Sequence, residues 1–270
     1  MFSTRVLKTT LSLGILALSG LLSPAIAGPT AITVTITNLA PANSVSFAPL
    51  RLGFGNGTFD AFNNGQTALA PIISIAEGGS GSAWFPAFAA AESNAVLGSV
   101  INPATGGPLL PGQSASNTFL VDNTSSNNRF FTFANMVLPS NDLFLGNDSP
   151  TAFQLFNPDG SLALTTITQT AGQIWDSGDE ASIVANAAFI PGSDNNARVA
   201  ENGVVRFDRA NLSIFNGITT AGGYVFSDAA LTNATPIYRI SFTAAPEPGS
   251  LLFLAAGAGI LAIKRRRRAQ

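Results

Sequence analysis

The stretch Ala31-Ile32-Thr33-Val34-Thr35-Ile36-Thr37 alternates β-branched apolar residues with threonines at a strict period of two. This pattern puts Ile32, Val34 and Ile36 on one face of an extended chain and the threonine hydroxyls on the other, so it predicts a strand with one dry and one wet face. Working outward, further extended segments are expected at 46–52, 116–121, 129–137, 152–156, 163–168, 203–207 and 236–243. Turn chemistry separates them: Gly55-Asn56-Gly57, Asn127-Asn128 and Asn157-Pro158-Asp159-Gly160, the last read as a hairpin tip joining 152–156 to 162–168. The alanine-rich stretches 67–76 and 82–97 predict short helices or ordered loops, broken between Gly78 and Gly81. Eight or so strands in about 218 residues, with no fixed repeat and no linker, predict one all-β domain, an antiparallel β-sandwich with short helices in its loops.

That count leaves out both ends of the chain. At the N-terminus Arg5 and Lys8 precede an apolar run from Leu11 to Leu22 and the small-x-small sequence Ala25-Ile26-Ala27, the pattern of a secretory signal peptide occupying 1–27. At the C-terminus Pro246-Glu247-Pro248 is followed by the apolar stretch 250–263, then Lys264 and the arginines 265–268. As a helix this stretch is about 21 Å long, short of a hydrocarbon core of about 30 Å, and its basic flank favours the cytoplasmic side. Order and spacing over 246–270 resemble the PEP-CTERM sorting signal of Gram-negative bacteria. The resemblance implies recognition by an exosortase-type enzyme, removal of the tail, and delivery to the cell surface or an extracellular matrix. The membrane is then met only through the tail; a retained single-pass anchor is the alternative.

Composition narrows the chemistry. The chain has no His and no Cys, which excludes a His-based triad, a thiol nucleophile, a His or Cys metal site and any disulfide framework. Between residues 28 and 245, six arginines stand against 14 acidic residues with no lysine, a formal charge of −8. Such a surface repels nucleic acid and suits hard cations.

Inside the domain, Ser46-Phe47-Ala48-Pro49, Gly57-Thr58-Phe59-Asp60-Ala61-Phe62, Ala76-Glu77-Gly78-Gly79 and Leu110-Pro111-Gly112-Gln113-Ser114-Ala115 resemble the bacterial branch of the spondin domain. So do Met136-Val137-Leu138-Pro139-Ser140-Asn141-Asp142-Leu143-Phe144-Leu145-Gly146 and Trp175-Asp176-Ser177-Gly178-Asp179-Glu180. The resemblance covers most of 31–180 and implies a β-sandwich similar to calcium-dependent phospholipid-binding domains. It also implies a calcium ion held by Asp142, Asp176 and Glu180. Asn141 stands where the family has proline, and Asp179 is an adjacent alternative to Glu180. The residues agree with calcium: three carboxylates within five positions around Gly178 repel one another, and calcium accepts six to eight oxygens without strict geometry.

Other candidates are weaker. Gly53-Phe54-Gly55-Asn56-Gly57 lacks the third glycine of a dinucleotide fingerprint and reads as a flexible turn. No His is available to activate a serine. Paired carboxylates of a glycosidase are disfavoured, and Trp84, Trp175, Tyr224 and Tyr238 read as core rather than sugar platforms. The expected protein is therefore a non-enzymatic, calcium-binding adhesion or matrix component. The alternative is a module that binds exopolysaccharide with calcium only structural or absent. Sorting is testable directly: Glu247→Ala should leave uncleaved precursor in the membrane fraction, and a mature mass identical to wild type would remove the sorting assignment.

Overall fold

The computed structural model describes residues 29–245; the expected leader, the motif Pro246-Glu247-Pro248 and the apolar tail lie outside them. Among the described residues no helix is long and apolar enough to cross a membrane. The elements in order are β1 (Thr30–Asn38), β2 (Ser46–Phe47), β3 (Leu50–Gly55), α1 (Ala70–Gly78), α2 (Trp84–Ala91), β4 (Val96–Val100), β5 (Ser114–Val121) and β6 (Phe130–Leu138). They continue with β7 (Leu143–Gly146), β8 (Thr166–Thr170), β9 (Trp175–Asp176), β10 (Arg206–Phe207) and β11 (Pro236–Ala244). All strand pairings among them are antiparallel, in a smaller sheet ordered β5-β1-β11-β8 and a larger one ordered β10-β9-β7-β6-β3-β4, with β2 beside the end of β6. The fold is all-β, as the alternation in β1 requires.

The two faces of β1 behave as read. Ile32, Val34 and Ile36 are buried, while the threonine face bonds sideways: Thr33 to Thr118 at 2.9 Å and Ser114 to Thr37 at 3.0 Å. Aromatic rings fill the space between the sheets, with Phe131 on Phe242 at 4.8 Å, Phe47 on Tyr238 at 4.6 Å and Phe54 on Phe119 at 5.6 Å between centroids. Such tilted and edge-to-face pairs combine large apolar burial with favourable quadrupole contacts.

The larger sheet is covered on its second face too. A separate core joins Phe59, Phe62, Ile72, Ile75, Trp84 and Phe88 to Ala134, Phe144 and Trp175 of that sheet. Helices α1 and α2 thus form a third layer. Gly79 ends α1 in a left-handed conformation, the break expected between 78 and 81. The sequence Gly53-Phe54-Gly55 is no flexible turn but lies within β3. A Cβ on Gly53 would stand 2.5 Å from a Phe88 ring carbon, so glycine lets α2 approach the sheet. Just beyond α2, buried Glu92 accepts hydrogen bonds from the amides of Asn56, Thr58 (2.7 Å) and Phe59 (2.6 Å), tying the loop after β3 to the helix. Losing a buried carboxylate with several amide partners costs on the order of 3 kcal/mol.

Several expected segments differ. Residues 152–156 form no strand; they touch β6 by a single bridge, and Leu155 and Phe156 plug the main core from a loop. The turn at 157–160 is present, with Gly160 left-handed, but only the bridge Phe156–Leu162 flanks it. Residues 163–168 and 203–207 contribute only their later parts, to β8 and β10, and 96–97 belong to strand β4 rather than a helix.

Candidate metal centre

Strand β6 turns back into β7 through Pro139-Ser140-Asn141-Asp142. The Ser140 hydroxyl clasps this turn, donating to the Val137 carbonyl at 2.6 Å and accepting from the Leu143 amide at 3.2 Å. Asp142 is thereby fixed at the entrance to β7. Because Leu143 pairs with Asp176 of β9, the next residues along both strands meet: Ser177 donates its amide to the Asp142 carbonyl at 3.2 Å and its hydroxyl to Asp142 Oδ2 at 3.0 Å. The Glu180 amide donates to the same Oδ2 at 3.3 Å. The loop carrying Glu180 folds this closely because Gly178 is left-handed (φ 72°) and packs on the Val204 backbone; a Cβ there would lie 2.6 Å from the Val204 carbonyl oxygen.

The structure therefore brings Asp142, Asp176 and Glu180 to one buried corner, with relative exposures of 0%, 0% and 4%. It does not close them around one point, and among the described residues no three acidic groups stand at metal-cage spacing. Asp176 accepts from the Gly178 amide (2.6 Å), Asn211 (2.7 Å) and Arg206 (3.1 Å). Glu180 turns toward Asn186, with Arg198 at 3.8 Å, and borders a polar cleft of about 390 Å³ also lined by Glu77, Asn141 and Arg198. Asp179, the alternative ligand, takes Ser177 and Arg198 as partners. Asn141 holds the loop by accepting from the Ile183 amide at 3.1 Å and donating to Asn186 at 2.7 Å.

Positive charge is short here. Arg198 is shared by Glu77, Asp179 and Glu180, and Arg206 by Asp176, Glu201 and Asp208. Asp142 has neither, and its Oδ1 is buried without a hydrogen-bond partner among the described residues. The Ser177 hydroxyl has one proton to offer and stands between Asp142 and Asp179. Burial, reinforced by the Asp176 charge, pushes the Asp142 carboxyl up to about 8. Burial raises Asp176 to about 6 against the pull of Arg206, and raises Glu180 to about 7. An unpartnered carboxylate oxygen beside other acidic groups fits a divalent cation, which removes both the desolvation and the repulsion. Asp142 and Asp176 would hold it, with Glu180 or Asp179 as the third carboxylate.

Sequence reasoning placed these three residues, yet it missed that Arg198 and Arg206 belong to the same corner. Arg198 lies 18 residues beyond Glu180 and Arg206 lies 30 beyond Asp176, separations that hide those contacts in the sequence. No protein-family model matches the chain, and no curated protein matches it in sequence.

These carboxyls give the metal-free protein an inverted pH dependence. A carboxyl whose folded value lies above its unfolded one favours folding while protonated, and that contribution is lost as pH rises through the folded value. The relevant window runs from the ordinary carboxylate range up through about 6, 7 and 8 for Asp176, Glu180 and Asp142. Between about pH 5.5 and pH 8.5, in chelator, the melting temperature should fall by about 5 °C or more. Asp142→Asn should flatten that decline, whereas a slope unchanged by the substitution would remove Asp142 as its source.

Proposed function

We propose that this chain is an exported, non-enzymatic β-sandwich of the spondin kind. In this reading it binds calcium through the Asp142 corner and serves as an adhesion or matrix component, brought to the cell surface by exosortase-type processing of its tail. One observation carries the calcium assignment: buried Asp142 Oδ1 has no donor among the described residues, while the two nearby arginines are each divided among three other carboxylates. Calcium bound there supplies the missing positive charge and pulls the loop after β9 onto the turn before β7. Burial of Asp142 and Asp176 also supports the non-enzymatic reading. Their raised values would suit proton transfer, but a fully buried pair offers a substrate no approach.

The test is a thermal melt of chelated protein with calcium returned. At about 100 times the dissociation constant the gain is roughly 2.7 kcal/mol, a shift of several degrees for a domain of this size. Asp142→Asn removes a buried uncompensated charge, so its metal-free form should melt above metal-free wild type at about pH 8 while losing the calcium gain. Retention of that gain by Asp179→Asn and its loss in Glu180→Gln would name Glu180 as the third ligand. Absence of a calcium shift in wild type would overturn the assignment.

A further inference from the structure

Trp84, Trp175 and Tyr238 are core, as expected, the first and last fully buried and Trp175 nearly so, while Tyr224 is half-buried with its hydroxyl bonded to Ser46 and to the Ser44 carbonyl. Among the described residues the exposed phenylalanine is Phe207. It stands at the outer edge of the larger sheet, on the two-residue strand β10, with half its surface (51%) in solvent. One face of the ring is stacked on Trp175 at 3.7 Å between centroids and 24° between planes. Trp175 is in turn fixed by its indole N–H, which donates to the Gly146 carbonyl at 3.2 Å, and by Phe62 packed edge-on at 5.2 Å. Phe207 is thus a rigid apolar plate with its other face available.

Two shallow grooves, of about 300 and 310 Å³, meet at this ring. The first carries Asp148, Gln169 and Gln173; the second carries Asp208, Arg209 and Asn233. Gln169 is the informative one. It shares the inward face of β8 with Ile167, is only 5% exposed, and makes no side-chain hydrogen bond among the described residues. Its polar atoms are not among the fully buried unpartnered ones, so the carboxamide meets the groove with donor and acceptor open to a ligand.

We propose that Phe207, mounted on Trp175 and flanked by Gln169, Gln173 and Asp148, is the platform of a binding site for a neutral polysaccharide chain. A pyranose ring has an apolar C–H face that stacks on an aromatic plate and an equatorial rim of hydroxyls that carboxamides and a carboxylate receive. The formal charge of −8 on the domain, with two carboxylates and one arginine around the ring, disfavours an anionic polymer. A peptide strand added along β10 is disfavoured because that edge is two residues long, too short for a ladder. The site does not depend on calcium. Trp175 precedes Asp176 and Phe207 follows Arg206 on paired strands, with Phe207 opposite Trp175 and Arg206 opposite Asp176, so the two rings share one face and the plate and the metal corner project oppositely.

The experiment is affinity electrophoresis of the purified protein in native gels cast with dextran, galactomannan, arabinogalactan or hydroxyethyl cellulose. A parallel titration follows Trp175 fluorescence in a Trp84→Phe background. At least one polymer should retard wild-type protein, with and without chelator, and perturb the emission of Trp175. Phe207→Ala and Gln169→Leu should each weaken the interaction about tenfold or more, while Phe207→Tyr retains it. Unchanged melting temperatures would separate loss of binding from loss of fold. Retardation by none of the four polymers, or retardation indifferent to both substitutions, would overturn the proposal. Binding that vanishes with chelator but survives Phe207→Ala would do the same, by moving the sugar to the metal corner.

Discussion

The larger sheet is covered on both faces, by the smaller sheet on one side and by α1, α2 and their loops on the other, and the rest of the molecule follows from that enclosure. Strands in such a layer carry no wet face, which is why β6 is buried along nearly its whole length and why Phe144 and Trp175 pack outward against Phe62. Polar groups at the ends of these strands lose water as well. Asp142 and Asp176 come at the ends of β7 and β9, so the same packing that builds the second core strips two carboxylates of solvent. In an open two-layer sandwich they would be ordinary loop acids.

Enclosure turns a surplus of negative charge into an energetic demand. Hydrogen bonds from Ser177 and the Glu180 amide satisfy Asp142 Oδ2, but Oδ1 and the full negative charge are left over. Arg198 and Arg206 cannot meet the deficit, since each already faces three carboxylates. Protonation is one answer, and the raised values express it; a divalent cation is the other. Exchange between these two states would tie the order of the loop after β9 to the concentration of the cation. Phe207 belongs to the other side of the same strand pair, where the chain exposes an aromatic plate instead of burying a charge.

Legibility in the sequence tracked the length of the repeating pattern. Strand β1 announces itself by a full alternation, and β6 by an unbroken apolar run, so both were placed within a residue or two. Strands β7 and β9 have four and two residues, too few for any period to register, although they carry the candidate site. The segment 152–156 has strand-like residues but spends them plugging the core from a loop. Gly53 and Gly55 look like a turn until Phe88 and Glu92 occupy the space that side chains would fill. Asp142, Asp176 and Glu180 were singled out through a family resemblance, and the shortage of positive charge around them became visible only with burial and partners in place. Phe207 had no signal at all, because exposure of one phenylalanine among 20 is decided by tertiary packing.

The central claim is that calcium replaces protons on carboxyls buried by this packing. Isothermal titration calorimetry of chelated protein with calcium near pH 7, repeated in two buffers of different ionisation enthalpy, measures both binding and the protons exchanged. The account predicts saturable binding accompanied by proton release, with the release diminished in Asp142→Asn. Calcium binding with no proton exchange, or no calcium binding, would contradict it.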